Sequence, residues 1–358
     1  MLSKESHNLL TRLLKIVDIH QMKLNKSSYK WLEILFNKIK SIKKTKIAVS
    51  RLVKCSTLNQ EQYYESIFIA DLIKKDIKSI KDCKIFTILN TTIVIGSNEY
   101  NCINMKHIAN IISIMRELSG STDHILINIW NTKHKKFMSP HCTQLEPLNI
   151  NSGSTLPGEF INLWRHEELY KVLIHELVHT FFFDFRDEIN IEEYIRNTFN
   201  ISFDSPVYIW ESYTEFIAII IHAIYISKNV ETVIKIISIE KYFNYLQCGK
   251  ILNHFGCDSN DQLLNKECMM KYKTDVLSYF YIKTAMLHSF NKSLQFIIKN
   301  NINLVKFNEN SLYEYLELIK YTTSQSSFIK KLNDNIILSK SLNHQLATTL
   351  RMTIIEIN

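Results

Sequence analysis

The sequence predicts an α+β fold that is mainly helical, with a small mixed sheet packed on one central helix. Three observations lead there. Only 6 Gly and 4 Pro occur in 358 residues, too few turn formers for an all-β chain built on tight hairpins. Apolar residues recur at i, i+3, i+4 and i+7 over the first 82 residues. Three apolar, β-branched runs of strand length lie mid-chain, within 84–96, 124–130 and 160–164. With 46% hydrophobic and 22% charged residues, the chain can bury a sizeable core.

The elements follow in order. Leu9, Leu10, Leu13, Leu14 and Val17 form one helical stripe, and Trp31, Leu32, Ile34, Leu35 and Ile39 a second. Tyr63 to Ile80 gives a third, so residues 1–82 read as a helical N-terminal region. Lys84 to Gly96 reads as two short strands around Asn90. Residues 105–118 predict a helix that stops before Gly120. His124–Trp130 and Phe160–Trp164 read as strands, separated by a loop holding Pro140, Pro147 and the polar run Asn149–Thr155. The last strand leads straight into an apolar helix from Glu167 to about Phe183. Such a strand can border a cleft and accept an extended peptide by strand addition. A short helix covers 191–199, and Ser205 then N-caps a helix with Pro206 at its first position, running to Ser227. The predicted organisation is an N-terminal helical region (1–82), a central catalytic domain (83–290) and a helical C-terminal region (291–358).

The chemistry concentrates in His175-Glu176-Leu177-Val178-His179. On a helix, residues four apart lie about 40° apart on one face, so both imidazoles can reach one cation. Glu176, beside the first His, can reach a water held there. Neutral imidazoles, an open position and an adjacent base are what a hydrolytic zinc site requires. The uncharged flanks Val172, Leu173, Ile174, Leu177, Val178 and Phe181 bury that helix. Downstream, Glu211 and Glu215 stand one turn apart among Ile209, Trp210, Phe216 and Ile217. Two carboxylates in apolar company need a cation to meet. Glu211 is the expected third ligand, and Glu215 the acid that accepts the free N–H of a ligating His. The exchanged assignment, with Glu215 as ligand, stays open. His222 lies roughly 16 Å along the helix from Glu211 and cannot share that metal. His141, Cys142 and His166 are candidates for cleft walls.

Together, the H-E-x-x-H helix and Glu211-Ser212-Tyr213-Thr214-Glu215-Phe216 on a second helix resemble the gluzincin zinc peptidases. Ser212 and Thr214 replace residues that are Gly and Ala in many members. The segments 151–155 and 165–176 also resemble uncharacterised metallopeptidases of large DNA viruses, and the Ile-, Lys- and Asn-rich composition suits such a source. The resemblance covers roughly residues 120–290. It implies a zincin-like sheet packed on the active-site helix and one Zn²⁺ held by His175, His179 and Glu211, with Glu176 as general base. It also implies a downstream oxyanion donor, for which Tyr279 or Tyr281 is placed suitably, and a peptide or protein substrate. The alternative is a catalytically inactive module of the same fold that binds a protein or nucleic-acid partner.

The net charge is +8, with its densest run from Lys38 to Lys46. Basic and aromatic residues do not interleave as in a nucleic-acid recognition motif, so nucleic acid is not an expected partner. Seven cysteines, an odd number without C-x-x-C, predict free thiols in a reducing compartment. The expected location is therefore cytoplasmic: host cytoplasm, or a virion, for a viral chain. Cys248, His254, Cys257 and Cys268 lie close enough in sequence for a second metal site, although their spacing matches no standard zinc module. The polar N-terminus has no signal-like core, and Glu211, Glu215 and His222 interrupt the longest apolar stretch, so no membrane span is expected.

Overall fold

The β-branched runs pair into one six-stranded mixed sheet of order β1-β2-β3-β4-β6-β5. The structure, a computed structural model, describes residues 2–43, 45, 51–55, 66–97, 103–185 and 190–357. Strands β1 (Arg51–Lys54), β2 (Asp82–Ile88) and β3 (Thr91–Gly96) are antiparallel neighbours. Strand β4 (Ile125–Thr132) runs parallel to β3, and β6 (Phe160–Arg165) parallel to β4. Strand β5 (Gly153–Leu156) closes the far edge antiparallel to β6. The parallel strands β3, β4 and β6 are buried along most of their length, as a sheet covered on both faces demands.

Helices account for the rest, and the fold is mainly helical α+β. Helices α1 (Lys4–Ile16), α2 (Lys26–Ser41) and α3 (Asp71–Ser79) precede or flank the sheet. Helix α4 (Met105–Ser119) forms the crossover from β3 to β4 and stops at Gly120, whose φ of 70° gives a left-handed cap. Helix α5 (Leu169–Thr180) is buried at every position, so its polar side chains Lys171, His175, Glu176 and His179 must find partners inside the protein. It lies between β5 and β6 on one side and α7 (Trp210–Ile226) on the other, with α4 also against it. The short α6 (Asn190–Thr198) connects them, and α8 (Val230–His254) packs on α7. One large core draws side chains from Trp31 through to Ile357, across the N-terminal, central and C-terminal stretches.

Several expectations change. Tyr63–Ile80 holds only α3; residues 63–65 lie outside the described residues, as do Lys44 and Lys46 of the basic run. Residues 51–54, read as part of a helical region, form β1 instead. The polar run 149–155 contains β5, so β6 is an inner strand and cannot take a peptide by strand addition; the edge belongs to β5. The helix expected from Pro206 begins at Trp210. The segment before it is held out of the helix, because the Ser205 hydroxyl accepts from the Tyr272 N–H (3.0 Å) and the Tyr208 N–H donates to Asp275 (2.7 Å). The thiols also differ. Cys55 is bonded to Cys83 and Cys257 to Cys268, with Cys142 and Cys248 free among the described residues. Strand pairing brings Cys55 beside Cys83, a proximity that a separation of 28 residues hides. With Cys257 and Cys268 joined, the second metal site is excluded. No helix among the described residues is long and apolar enough to cross a membrane.

The C-terminal strap Leu350–Ile357 runs through the interior and fixes the head of α5. Glu168, at φ 61° just before α5, accepts the N–H groups of Met352 (2.8 Å) and Thr353 (2.6 Å) and pairs with Lys136 (2.7 Å). Glu240 on α8 accepts from the N–H groups of Ile354 and Ile355. Burial pushes the Glu240 carboxyl up from 4.5 to about 7. A carboxyl with a raised folded pKa binds an extra proton in the native state, so its contribution is present below pH 4.5 and is lost as the pH rises through 7. Urea unfolding at pH 5 and pH 8 should therefore show wild type losing more stability than Glu240→Gln, by on the order of 2 kcal/mol. Equal losses in the two proteins would remove this group from the account.

Candidate metal centre

The i, i+4 spacing on α5 brings both imidazoles to one point. His175 Nε2 and His179 Nε2 lie 3.1 Å apart, and each is 3.2 Å from Glu211 Oε2. Glu211 reaches them from the first turn of α7, where the helix dipole also favours a carboxylate. The three ligand atoms lie within 4.8 Å of one another, and the His175, His179 and Glu211 group can hold a metal ion.

The groups behind the imidazoles decide their tautomers. His179 Nδ1 lies 2.6 Å from Asp184 Oδ2. His175 Nδ1 lies 2.8 Å from Glu215 Oε1, at ion-pair distance but less well aligned than a hydrogen bond. With the Nδ1 protons directed at carboxylates, both neutral rings present bare Nε2 lone pairs toward Glu211. Three lone-pair donors then converge in a buried space. Such an arrangement is repulsive until a cation enters, and it is the donor set of a borderline metal. Without one, the histidines take up protons instead. Burial alone would lower both, but the Glu211 and Glu215 carboxylates raise His175, and those of Glu211 and Asp184 raise His179 well above its ordinary value. Glu211 is correspondingly held far below the usual carboxylate range; burial opposes this, and the two histidines prevail.

Glu215 does not reach the ligand point. Its carboxylate sits between two buried lysines, with Lys171 Nζ on Oε1 and Lys283 Nζ 2.9 Å from Oε2. Lys171 comes from α5 one turn before His175. Lys283 lies where the π-helical turn Leu277–Ile282 becomes the α-helix Lys283–His288. These ammonium groups explain how Glu215 can be 1% exposed and still charged. Each was visible as a lone charge in an apolar stretch. Asp184 carried a similar signal, as a single acid between Phe183 and Phe185.

Glu176 faces the opening beside the ligands. The Thr155 hydroxyl donates to its Oε2 (2.6 Å), and Gly153 passes so close that an added Cβ would collide with the carboxylate. Burial raises the Glu176 carboxyl above its ordinary pKa. These groups open into a cleft of about 1040 Å³, which Tyr279 also lines. The Tyr279 ring centre is 6.0 Å from that of His175. Tyr281 points elsewhere: it is buried between Phe199 and Phe328, and its hydroxyl donates to Asn260 (2.6 Å). The two tyrosines cannot share a face because they are only two residues apart on one helical turn. His141, Cys142 and His166 do not line the cleft. His166 bonds Asn131 (3.0 Å), Cys142 lies 3.2 Å from His254, and His141 is exposed on the surface. His222 is buried far down α7, its pKa pushed down to about 3 by burial.

Metal titration against a chromophoric chelator tests this assembly. His179→Ala should abolish stoichiometric binding. Asp184→Asn should weaken it by about 10–100-fold while circular dichroism stays unchanged. Unaltered affinity in Asp184→Asn would show that Asp184 does not position the ligand. No family model, curated protein or solved structure matches this chain, and the site stands on its own geometry.

Proposed function

We propose that the protein is a zinc-dependent peptidase of gluzincin type, with His175, His179 and Glu211 as metal ligands. The observation that carries this reading is a buried carboxylate, Glu176, standing free of the ligand set and facing the same open cleft. A purely structural zinc site closes its coordination with protein side chains and needs no adjacent base. When bound, zinc supplies Lewis acidity to a carbonyl oxygen and to a water molecule.

The chain's own residues supply the rest. Glu176 takes the proton of the attacking water as oxygen adds to the scissile carbonyl carbon. The same carboxyl returns that proton to the amine nitrogen as the C–N bond breaks. Its raised pKa makes the carboxylate a stronger base. Thr155 fixes its orientation, and Gly153 leaves room for it. Tyr279, which lines the same cleft, would donate its hydroxyl to the oxygen that gains negative charge. Burial holds that phenol well above its ordinary pKa, so it stays protonated. Asp184 and Glu215 orient the imidazoles.

The substrate backbone is expected along β5. In the β5–β6 ladder the Trp164 N–H donates to Ser152 O. Antiparallel alternation then turns the N–H and C=O groups of Gly153 and Thr155 outward, on the cleft side. An extended peptide can add there as a further strand.

The mechanism is tested with a peptide library and zinc-loaded protein. Glu176→Gln should keep one zinc per chain and lose about 10²–10⁴-fold in kcat. Tyr279→Phe should lose about 10²–10³-fold in kcat with little change in KM. Equal hydrolysis by wild type and Glu176→Gln would sink the proposal, as would stoichiometric zinc without hydrolysis of any peptide. The second result would favour an inactive binding module on this fold.

A further inference from the structure

Resting on the peptidase reading, we infer that the protein is an endopeptidase that cleaves within extended, apolar stretches of polypeptide. The inference comes from the cleft walls outside the metal centre. A peptidase directed at chain ends holds one unneutralised charge near its metal: acidic for a terminal amine, cationic for a terminal carboxylate. Among the described residues that line this cleft, most charges are met from within the protein. Lys74 is paired with Asp71 (3.6 Å), and Lys273 with Glu146 (3.6 Å). Arg196 is held by Glu192 (2.6 Å) and by the carbonyls of Ser202 and Ser205. Asp275 accepts the N–H groups of Tyr208 and Ser278 and is thereby occupied. Asp204 is exposed at the outer rim, where water screens it.

Apolar surface takes the place of a clamp. Among the residues that line the cleft, Ile67 is 79% exposed, Phe68 41% and Phe203 89%. Trp210 also lines it, stacked on Tyr208 at 4.9 Å. Exposed aromatic and aliphatic groups gathered at one opening mark a binding surface. Gly153, Ser154 and Thr155 of β5 line the same cleft, and an outward strand edge pairs with any extended backbone whatever its side chains. The volume of about 1040 Å³ lies at the upper end of the range for small-ligand pockets and leaves room for an extended chain. The occupant these features fit is an uncharged, extended segment with a large apolar side chain on either side of the cut.

Two ten-residue peptide libraries test this, one acetylated and amidated at its ends and one with free ends. Each is treated with zinc-loaded protein, and the new ends are sequenced by mass spectrometry. Internal cuts should occur in both libraries, at rates within about twofold. Phe, Tyr, Trp, Leu or Ile should be enriched at least fivefold beside the cut. Phe203→Ser and Phe68→Ser, at exposed or half-exposed sites, should lower that enrichment through KM and leave zinc content unchanged. Trimming confined to free-ended peptides would overturn the inference and leave the peptidase reading intact. Internal cuts without apolar enrichment, or enrichment unchanged in both variants, would overturn it as well. If zinc-loaded protein cleaves neither library, the peptidase reading itself fails, and this inference falls with it.

Discussion

The constraint on which the rest of this structure depends is the meeting of two imidazole Nε2 atoms and one carboxylate oxygen at about van der Waals contact or closer. Three electron pairs directed at one buried point repel each other unless something positive lies among them. The surrounding fold keeps them there. Helix α5 is buried on all sides, so it cannot rotate to separate the imidazoles. Helix α7 starts late, at Trp210, because Asp275 and Tyr272 hold the preceding residues out of the helix. That late start places Glu211 in the first turn, aimed at α5. The C-terminal strap holds Glu168 at the head of α5, which fixes the helix along its own axis.

A second layer of charge supports the first. Lys171, Glu215 and Lys283 form a buried chain behind His175, and Asp184 stands behind His179. Burying a lone ion costs several kcal/mol, and removing one partner of a buried pair costs about 3–5 kcal/mol. The network is therefore stable only when complete, and its completeness sets the imidazole tautomers. The two histidines are not equivalent. The carboxylate behind His175 is shared with two ammonium groups, whereas the carboxylate behind His179 is met by the Thr214 hydroxyl at 3.4 Å.

Much of this was readable from residue order, for a physical reason. Contacts made within one helix follow from periodicity alone, so His175, His179 and Glu176 were placed together by spacing. The apolar surroundings of Glu211 and Glu215 showed that both needed positive partners, and their separate roles followed from which one could reach the ligands. Contacts between distant segments were not readable. Nothing in 149–155 marks an edge strand, because β5 is short, polar and half-exposed; its identity comes from pairing with β6. Ser205-Pro206 carries a good helix-start signal, and tertiary hydrogen bonds from residues more than sixty positions away override it. Tyr279 and Tyr281 look alike in sequence, and only the packing of Tyr281 against Phe199 and Phe328 separates them. Cys55 and Cys83 meet because β1, which periodicity had assigned to a helical region, pairs with β2.

The central claim is that His175, His179 and Glu211 share one metal with a coordination position left open. X-ray absorption at the zinc edge of stoichiometrically loaded protein tests it most directly. The account predicts a first shell of nitrogen and oxygen at about 2.0–2.1 Å, with two imidazoles resolved by their outer-ring scattering and no sulfur. A sulfur shell near about 2.3 Å, or a shell without imidazole, would contradict it.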